Sequence, residues 1–263
     1  MTHDQSAVNP IPLTLGSDLT SAADVRGELL DDDQTTRSFF AKALVQEIDA
    51  VASAYAFAFQ HVGPVFDAVK RLDTMQAHMV VSFVLGVFDE VMVSTQLLLV
   101  GKLPAAGNLM RQAIEGIAMA TLCSAGVPLV INRREARGRK PAVDETAYYH
   151  RLLMQHDPRV QGHHAVRQLA WNAERLGVNP GAIPGIRDAQ HYYSDFSHCG
   201  PITVGSRTRL DGERGVMSIG GHYDEMKLPL YRAEMEERLN LCRMLPSVID
   251  LLLKSHALTT LEE

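Results

Sequence analysis

The sequence predicts an all-α protein: a single helical bundle of six or seven helices with a small β-hairpin insertion before the last helix. Hydrophobic residues make up 46% of the 263-residue chain but aromatic residues only 6%, so the core is aliphatic, as suits helix-on-helix packing. The segment from Arg37 to about His61 is rich in Ala and Phe and has no interior Gly or Pro, which predicts one long helix. Clusters of Gly and Pro separate the segments and predict the turns between helices.

The N-terminal residues have a different composition from the rest. Residues 1–30 combine prolines with small polar residues and show no periodicity, which predicts a flexible tail followed by one domain over 31–263. The chain does not begin with a basic stretch followed by an apolar one, so no secretory signal peptide is predicted. We therefore expect a cytoplasmic protein.

The predicted helices follow from the breakers. Gly63–Pro64 separates the first two long helices, and Gly101 with Pro104 separates the second from the third. The predicted helices span about 37–61, 64–100, 104–125, 144–156, 163–177, 185–198 and 228–256. Before the last one, two strand-like segments flank Asp211–Gly212, a dipeptide favoured in hairpin turns, and predict the β-hairpin.

The apolar segment 79–100 is long enough to cross a bilayer. Asp89 and Glu90 lie in its middle, where acidic groups are costly in lipid, so we interpret it as a buried bundle helix and expect no membrane partner. Its wide apolar surface, with that of the last helix, exceeds what one small bundle can cover. The sequence therefore predicts a homodimer.

The net charge of −6 argues against broad nonspecific binding to DNA or acidic membranes, although a local basic pocket remains compatible with it. The basic run NRREARGRK, from Asn132 to Lys140, is interpreted as a solvated connector between helices. Three widely spaced cysteines predict neither a disulfide framework nor a thiolate zinc site. Phosphate-loop, dinucleotide-binding, zincin and hydrolase motifs are absent, and no cofactor is predicted.

Two polar stripes are candidate functional residues. In PGIRDAQHYYSDFSHCGP, a helix would place Arg187, His191, Ser194 and His198 within about 60° of one another. Such a face could bind an anion and move protons near neutral pH, or simply hydrogen-bond a neighbouring loop.

On the third helix, Arg111 and Glu115 can form an i, i+4 pair within an apolar stretch. Buried polar groups need partners, so we predict that this pair meets Ser194 and His198 in one site.

These same segments carry a family resemblance. LLLVGKLPAAGNLMRQAIEG followed by YSDFSHCGP resembles a family of uncharacterised bacterial helical proteins similar to the HEPN-type bundles, which include RNase toxins and phage-defence proteins. The family pattern pairs Arg-x-x-x-Glu with a later Ser-x-x-x-His before a small residue and Pro. Its positions here are Arg111, Glu115, Ser194 and His198, and the resemblance covers about residues 60–205.

The HEPN ribonuclease signature itself, Arg followed by His after four to six residues, is matched imperfectly. Arg151–His156 and Arg159–His164 have the spacing but lack a polar residue after the Arg, and Arg187–Asp188 has the polar residue while His191 comes one position early. The resemblance nevertheless implies a domain that recognises a nucleotide or RNA in a toxin or phage-defence setting.

In this interpretation His198, His191 and Arg187 are the catalytic candidates, and Arg111, Glu115 and Ser194 the binding candidates. One alternative is a non-catalytic homodimeric interaction protein in which these residues form structural networks. Another is a metal-dependent hydrolase using the histidines, six of which lie between His150 and His198.

Overall fold

The computed structural model describes residues 20–134, 143–211 and 214–259. The described residues are predominantly helical and form twelve α-helices and two small antiparallel sheets. The helices are α1 (Ala22–Leu30), α2 (Gln34–Ala43), α3 (Val45–Gln60), α4 (Gly63–Leu72), α5 (Met75–Leu98), α6 (Leu103–Cys123), α7 (Tyr149–Met154), α8 (Gly162–Asn172), α9 (Ile183–Ser194), α10 (Pro201–Arg207), α11 (Leu228–Leu253) and α12 (His256–Thr259). The strands are β1 (Leu129–Arg134), β2 (Val143–Ala147), β3 (Thr208–Asp211) and β4 (Arg214–Met217).

The all-α class and the hairpin before the last long helix are confirmed. Strand β3 pairs with β4, with Thr208 opposite Met217 and Asp211 opposite Arg214. The Gly212 that motivated the turn prediction lies outside the described residues. Of the predicted tail, residues 1–19 also lie outside them, and α1 follows with Ser21 as its N-cap and no buried residue. That residues 1–30 form a flexible tail stays a prediction.

The described residues contain more helices than predicted: α1, α10 and α12 are additional, and two predicted long helices are divided. Leu44, fully buried and non-helical, separates α2 from α3 without any Gly or Pro nearby. Asp73, with a left-handed backbone (φ 48°), ends α4. The Thr74 side chain then accepts a hydrogen bond from the backbone N–H of Ala77 and caps α5. The second break had a local signal in the sequence, whereas the first is imposed by packing.

The interpretation of the basic run as a connector between helices is wrong for the part that the structure describes. Residues 129–134 form strand β1, which pairs with β2 where a helix beginning near Asp144 was expected. Arg133 and Asp144 lie opposite each other and form a two-pronged ion pair with N–O distances of 2.9 Å. Residues 135–142 lie outside the described part of the chain.

Side-chain amides of α8 anchor strand β1 to the bundle. The Asn172 amide accepts from the Val130 backbone N–H and donates to the Val130 carbonyl, both at 2.9 Å, as a neighbouring strand would. Gln168 donates to the Ile131 carbonyl at 2.8 Å and accepts from the Tyr149 hydroxyl at 2.9 Å. Because these groups are buried, their mutual satisfaction fixes the strand.

Helix α6 is the centre of the bundle. It packs along α5 and also contacts α8, α9 and α11, and 13 of its 21 residues are buried. Gly107 allows α9 to end close to it, since a Cβ on this residue would lie only 2.4 Å from the Phe196 ring. Helix α5 is long and apolar enough to span a membrane by length and composition, a test that core helices also pass.

An ion pair is buried in the core of the bundle. Arg238 and Glu234, 0% and 1% exposed, are one turn apart on α11 and joined by an Nη1–Oε2 hydrogen bond of 2.9 Å. Arg238 also donates to the Ser94 hydroxyl at 2.7 Å, and Glu234 accepts from the hydroxyls of Tyr192 and Tyr193 at 2.8 and 3.1 Å. The network therefore connects α5, α9 and α11.

Apolar side chains remain exposed on the outer helices. Phe57 and Val45 on α3 are 57% and 54% exposed, and Phe39 on α2 is 52% exposed. Exposed aromatic residues are frequent at interfaces between subunits, so these side chains are compatible with a dimer. Homodimer formation stays a prediction.

We predict that Arg238→Met lowers the free energy of unfolding by about 3–5 kcal/mol, since it leaves the Glu234 carboxylate buried without its cation. Adding Glu234→Gln should restore much of that loss, because the amide is neutral and its oxygen still accepts from the tyrosine hydroxyls. Urea unfolding of the two single variants and the double variant measures the coupling. Simple additivity would mean that the two charges do not depend on each other.

Candidate functional site

Three helices border a cleft of about 490 Å³ in which seven of the nine lining residues are basic or polar. We call it the basic cleft. Its residues are Arg111 from α6, His163, Arg167, Ala170 and Trp171 from α8, and Arg187, Gln190, His191 and Ser194 from α9. No carboxylate lies among them. Arg111 is paired with Glu115, and Arg167 and Arg187 have no ion pair within the described residues, so the concavity is basic in a chain whose net charge is −6.

Arg111 and Glu115 form the predicted pair, in which Arg111 lines the cleft and Glu115 lies outside its lining. Arg111 Nε donates to Glu115 Oε1 at 2.8 Å, and the Gln190 amide of α9 donates to the same oxygen at 3.0 Å. Both charged side chains are largely buried, at 18% and 13% exposure. Within the described chain the two terminal nitrogens of Arg111 have no hydrogen-bond partner. Glu115 therefore orients the guanidinium and leaves its outer edge available to an anion.

The second oxygen of Glu115 lies against the start of α8. A Cβ on Gly162, the first residue of that helix, would be 2.9 Å from Glu115 Oε2, so the site needs glycine or a movement of the carboxylate. A carboxylate beside a helix N-terminus is stabilised by the helix dipole. Glu115 thus joins α6, α8 and α9 beneath the cleft.

One wall of the cleft includes the Trp171 ring, and two arginines lie close to this ring. The guanidinium carbon of Arg167 lies 5.3 Å from the centre of the Trp171 ring, and that of Arg133 lies 5.7 Å from it. Arg167 and Trp171 are one turn apart on α8, and Arg133 is held by its ion pair with Asp144. Planar guanidinium and indole groups are the surfaces on which nucleobases stack.

The two adjacent histidines of α8 have different environments. His164 Nδ1 lies 3.1 Å from Arg167 Nη2, and because arginine can only donate, this nitrogen is the acceptor. Burial lowers the pKa of His164, and the neighbouring His163 and Arg167 lower it further. The rings of His163 and His164 are 3.8 Å apart, and only His163 lines the cleft.

Of the four residues predicted to share one helix face, Arg187, His191 and Ser194 lie on α9, whereas His198 follows the end of the helix. Arg187, His191 and Ser194 line the cleft together, and Arg187 and His191 are exposed. Neither has a hydrogen bond or ion pair within the described residues. The Ser194 hydroxyl donates to the Gln190 carbonyl at 2.8 Å and can only accept from a ligand.

His198 does not line this cleft and forms no hydrogen bond or ion pair with Glu115 within the described residues, so the prediction that the two side chains meet is not confirmed. Helix α9 ends at Ser194, and the backbone N–H groups of Asp195, Phe196 and Ser197 bond to carbonyls three residues back. This tighter turn follows from the burial of Phe196 against Gly107. It ends the helical periodicity, so His198 is exposed and absent from the cleft lining.

The arginines of the two pairs with HEPN-like spacing, Arg151–His156 and Arg159–His164, interact with other side chains. Arg159 is bonded to Asp157 and Glu145, while its spacing partner His164 accepts from Arg167. The Arg151 guanidinium lies 4.7 Å from the centre of the Tyr148 ring. The imperfect signatures therefore do not assemble an Arg–His pair comparable to the basic cleft.

Sequence analysis missed His163, Arg167, Trp171 and Gln190. The three α8 residues were detectable as a stripe, because positions 163, 167 and 171 are spaced by four residues along one helix. Nothing in the sequence pairs that stripe with α9. In the described part of the chain no group of three or more His, Cys, Asp or Glu side chains is placed to hold a metal ion. The described residues therefore provide no metal site that would support the metal-dependent hydrolase alternative.

A second carboxylate lies behind Glu115. Oxygen Oε2 of Glu90 on α5 is buried and has no hydrogen-bond partner in the described chain. Burial, followed by the charges of Asp89 and Glu115, raises the pKa of Glu90 to about 7. The protonated form of Glu90 is therefore favoured by the fold at mildly acidic pH.

We predict a pH-dependent stability that Glu90→Gln removes. Below about pH 4.5 Glu90 is protonated in both the folded and the unfolded chain. Between pH 4.5 and 7 the unfolded chain loses this proton while the folded chain keeps it, so the free energy of unfolding of the wild type falls as pH rises. At pH 8 the variant should exceed the wild type by about 1–2 kcal/mol, after allowance for solvent screening. Urea unfolding at pH 4.5 and pH 8 measures this. An equal difference at both pH values would contradict it.

Comparison with protein-family models, with curated proteins and with solved structures gave no match. The geometry of the basic cleft is therefore the structural basis for a functional proposal.

Proposed function

We propose that this protein is a HEPN-like domain that binds a nucleotide or RNA in the basic cleft. The observation that carries the proposal is the convergence of Arg111, Arg167 and Arg187 around one concavity with Trp171 in its wall. Arginine matches phosphate oxygens through paired hydrogen bonds, and the unpaired edges of Arg111 and Arg187 are suited to this task. The proposed toxin or phage-defence setting depends on the family resemblance alone.

The cleft suits a nucleotide better than a simple inorganic anion. A volume of about 490 Å³ far exceeds that of one phosphate group, and the Trp171 and Arg167 planes add surfaces on which a base can stack. The absence of a carboxylate from the lining favours a ligand of several negative charges. The acidic remainder of the chain disfavours sequence-independent binding elsewhere on its surface.

We predict that Arg187→Gln weakens binding of a fluorescein-labelled single-stranded RNA decamer by about 10-fold or more, because a charge-assisted phosphate contact is lost. The slope of log affinity against log salt should fall by about 0.7 for each contact removed. Fluorescence anisotropy at several salt concentrations measures both quantities.

Arg243→Gln is the matched control, since Arg243 is an exposed α11 arginine that makes only a long ion pair with Glu236 at 3.6 Å and lies outside the cleft. The two variants have the same net charge. Equal affinities for RNA in the two variants would show that the cleft is not the binding site. Unlabelled mononucleotides as competitors distinguish a nucleotide from an RNA strand as the preferred ligand.

A second candidate activity is RNA cleavage, favoured by the presence of two imidazoles, His163 and His191, in the same cleft. One imidazole can take the proton of a 2′-hydroxyl as it attacks the adjacent phosphorus, and the other can protonate the departing 5′-oxygen. Arg111 and Arg187 would stabilise the charge on the phosphate oxygens. His198, outside the cleft, has no part in this reaction.

If the cleft cleaves RNA, His191→Gln should lower the cleavage rate by about 100-fold or more, the usual contribution of a general acid or base. RNA affinity should change much less, and His198→Gln should leave both quantities unchanged. Gel analysis of a labelled RNA in the presence of a metal chelator measures the rate. If the wild-type protein binds the RNA but does not cleave it, the cleavage hypothesis is wrong and the protein is a binding domain.

A further inference from the structure

A separate cavity of about 210 Å³ lies between α6, α9 and α11. We call it the apolar cavity. Its walls are mainly aliphatic and thioether side chains, among them Met110 and Ile114 of α6 and Met244 of α11. It is larger than the roughly 150 Å³ cavities that bind a benzene ring in an engineered core. A ligand with one ring or a short alkyl chain therefore fits it.

Helix α9 contributes small residues to this side of the cavity. Gly185, which is exposed, and Ala189, which is partly buried, lie one turn apart along it, and a Cβ on Gly185 would meet nothing within 4 Å. A larger aliphatic side chain in place of Ala189 would occupy part of the space that a ligand could fill. The opposite face of α9 carries the basic cleft, so the apolar cavity is a distinct site.

One end of the cavity is acidic. The lining includes Glu237 of α11, for which no ion pair or hydrogen bond is formed within the described residues, and Asn240 one turn beyond it. Burial raises the pKa of Glu237, and the neighbouring Glu234 and Glu236 raise it further. The charge of Arg238 partly opposes this rise, but its guanidinium hydrogen-bonds to Glu234 and Ser94 and not to Glu237. A cationic group at this end would relieve the repulsion.

We propose that the apolar cavity binds a small organic amine whose ring or short alkyl body fills the aliphatic space and whose ammonium group pairs with Glu237. The aliphatic walls favour an apolar ring or alkyl group in the ligand, and the Glu237 carboxylate at the rim favours a positively charged ammonium group. The Asn240 amide oxygen provides a second acceptor for the ammonium protons. This inference does not depend on the proposed binding of RNA.

The test uses 2-phenylethylamine, with 2-phenylethanol and 3-phenylpropionate as neutral and anionic counterparts. In protein carrying ¹³C-labelled methionine methyl groups, the amine should shift the resonances of Met110 and Met244 saturably. The alcohol should bind at least 10-fold more weakly and the carboxylate should not bind. Glu237→Gln should reduce the preference for the amine over the alcohol to about twofold or less.

Ala189→Leu provides the matched structural variant, because it fills the cavity without adding charge. It should abolish amine binding while keeping or raising the melting temperature, and Gly185→Ala offers a smaller filling change on the same helix face. Three results would overturn the proposal: unchanged amine affinity in Ala189→Leu, equal affinity for amine and alcohol in the wild type, or no binding of the amine at all. The last result, with a stabilised Ala189→Leu, would identify the cavity as a packing defect.

Discussion

The position of helix α9 depends on a charged pair buried inside the bundle. Glu234 and Arg238 have almost no exposure, and neither charge could remain there without the other and without the surrounding donors and acceptors. Burial, followed by the Glu234 carboxylate, raises the pKa of Tyr192 and Tyr193, so both hydroxyls stay protonated and donate to that carboxylate. Any rotation of α9 would break these bonds and leave charge unsatisfied.

A fixed α9 explains why two sites of opposite character lie side by side. The face that turns towards α8 carries Arg187 and His191, whereas the face that turns towards α11 carries Gly185 and Ala189. Both sets share one rigid element whose orientation is set by the tyrosines. A polar cleft and an apolar cavity can thus be separated by the width of one helix, each with its own ligand chemistry.

The cleft also depends on polar groups that hold the neighbouring elements. Asn172 and Gln168 attach strand β1 to α8, which brings Arg133 over Trp171, and Glu115 meets both the start of α8 and Gln190 of α9. Each of these bonds joins residues far apart in the chain. The arginines are consequently presented by a rigid frame, as recognition of a phosphate requires.

The sequence by itself determined the helical class, most helix positions, the hairpin at β3–β4 and the Arg111–Glu115 pair. These features follow from local rules: apolar periodicity, Gly and Pro breakers, and contacts one helical turn apart. Arg187 and His191 were found for the same reason. The break at Thr74 was readable too, since a threonine that can cap a helix follows an aspartate tolerant of positive φ.

Only the tertiary structure decided the remainder. Strand β1 exists because Asn172, 42 residues away, satisfies the Val130 backbone, and a basic run reveals nothing of that partner. His198 lies outside the cleft because Phe196 is buried against Gly107 and the helix ends before His198. Helix α8 borders the cleft because its first residue, Gly162, packs against Glu115 of α6. Periodicity describes one helix at a time, whereas a cleft is made by the distances between helices, which are set by long-range packing and hydrogen bonds.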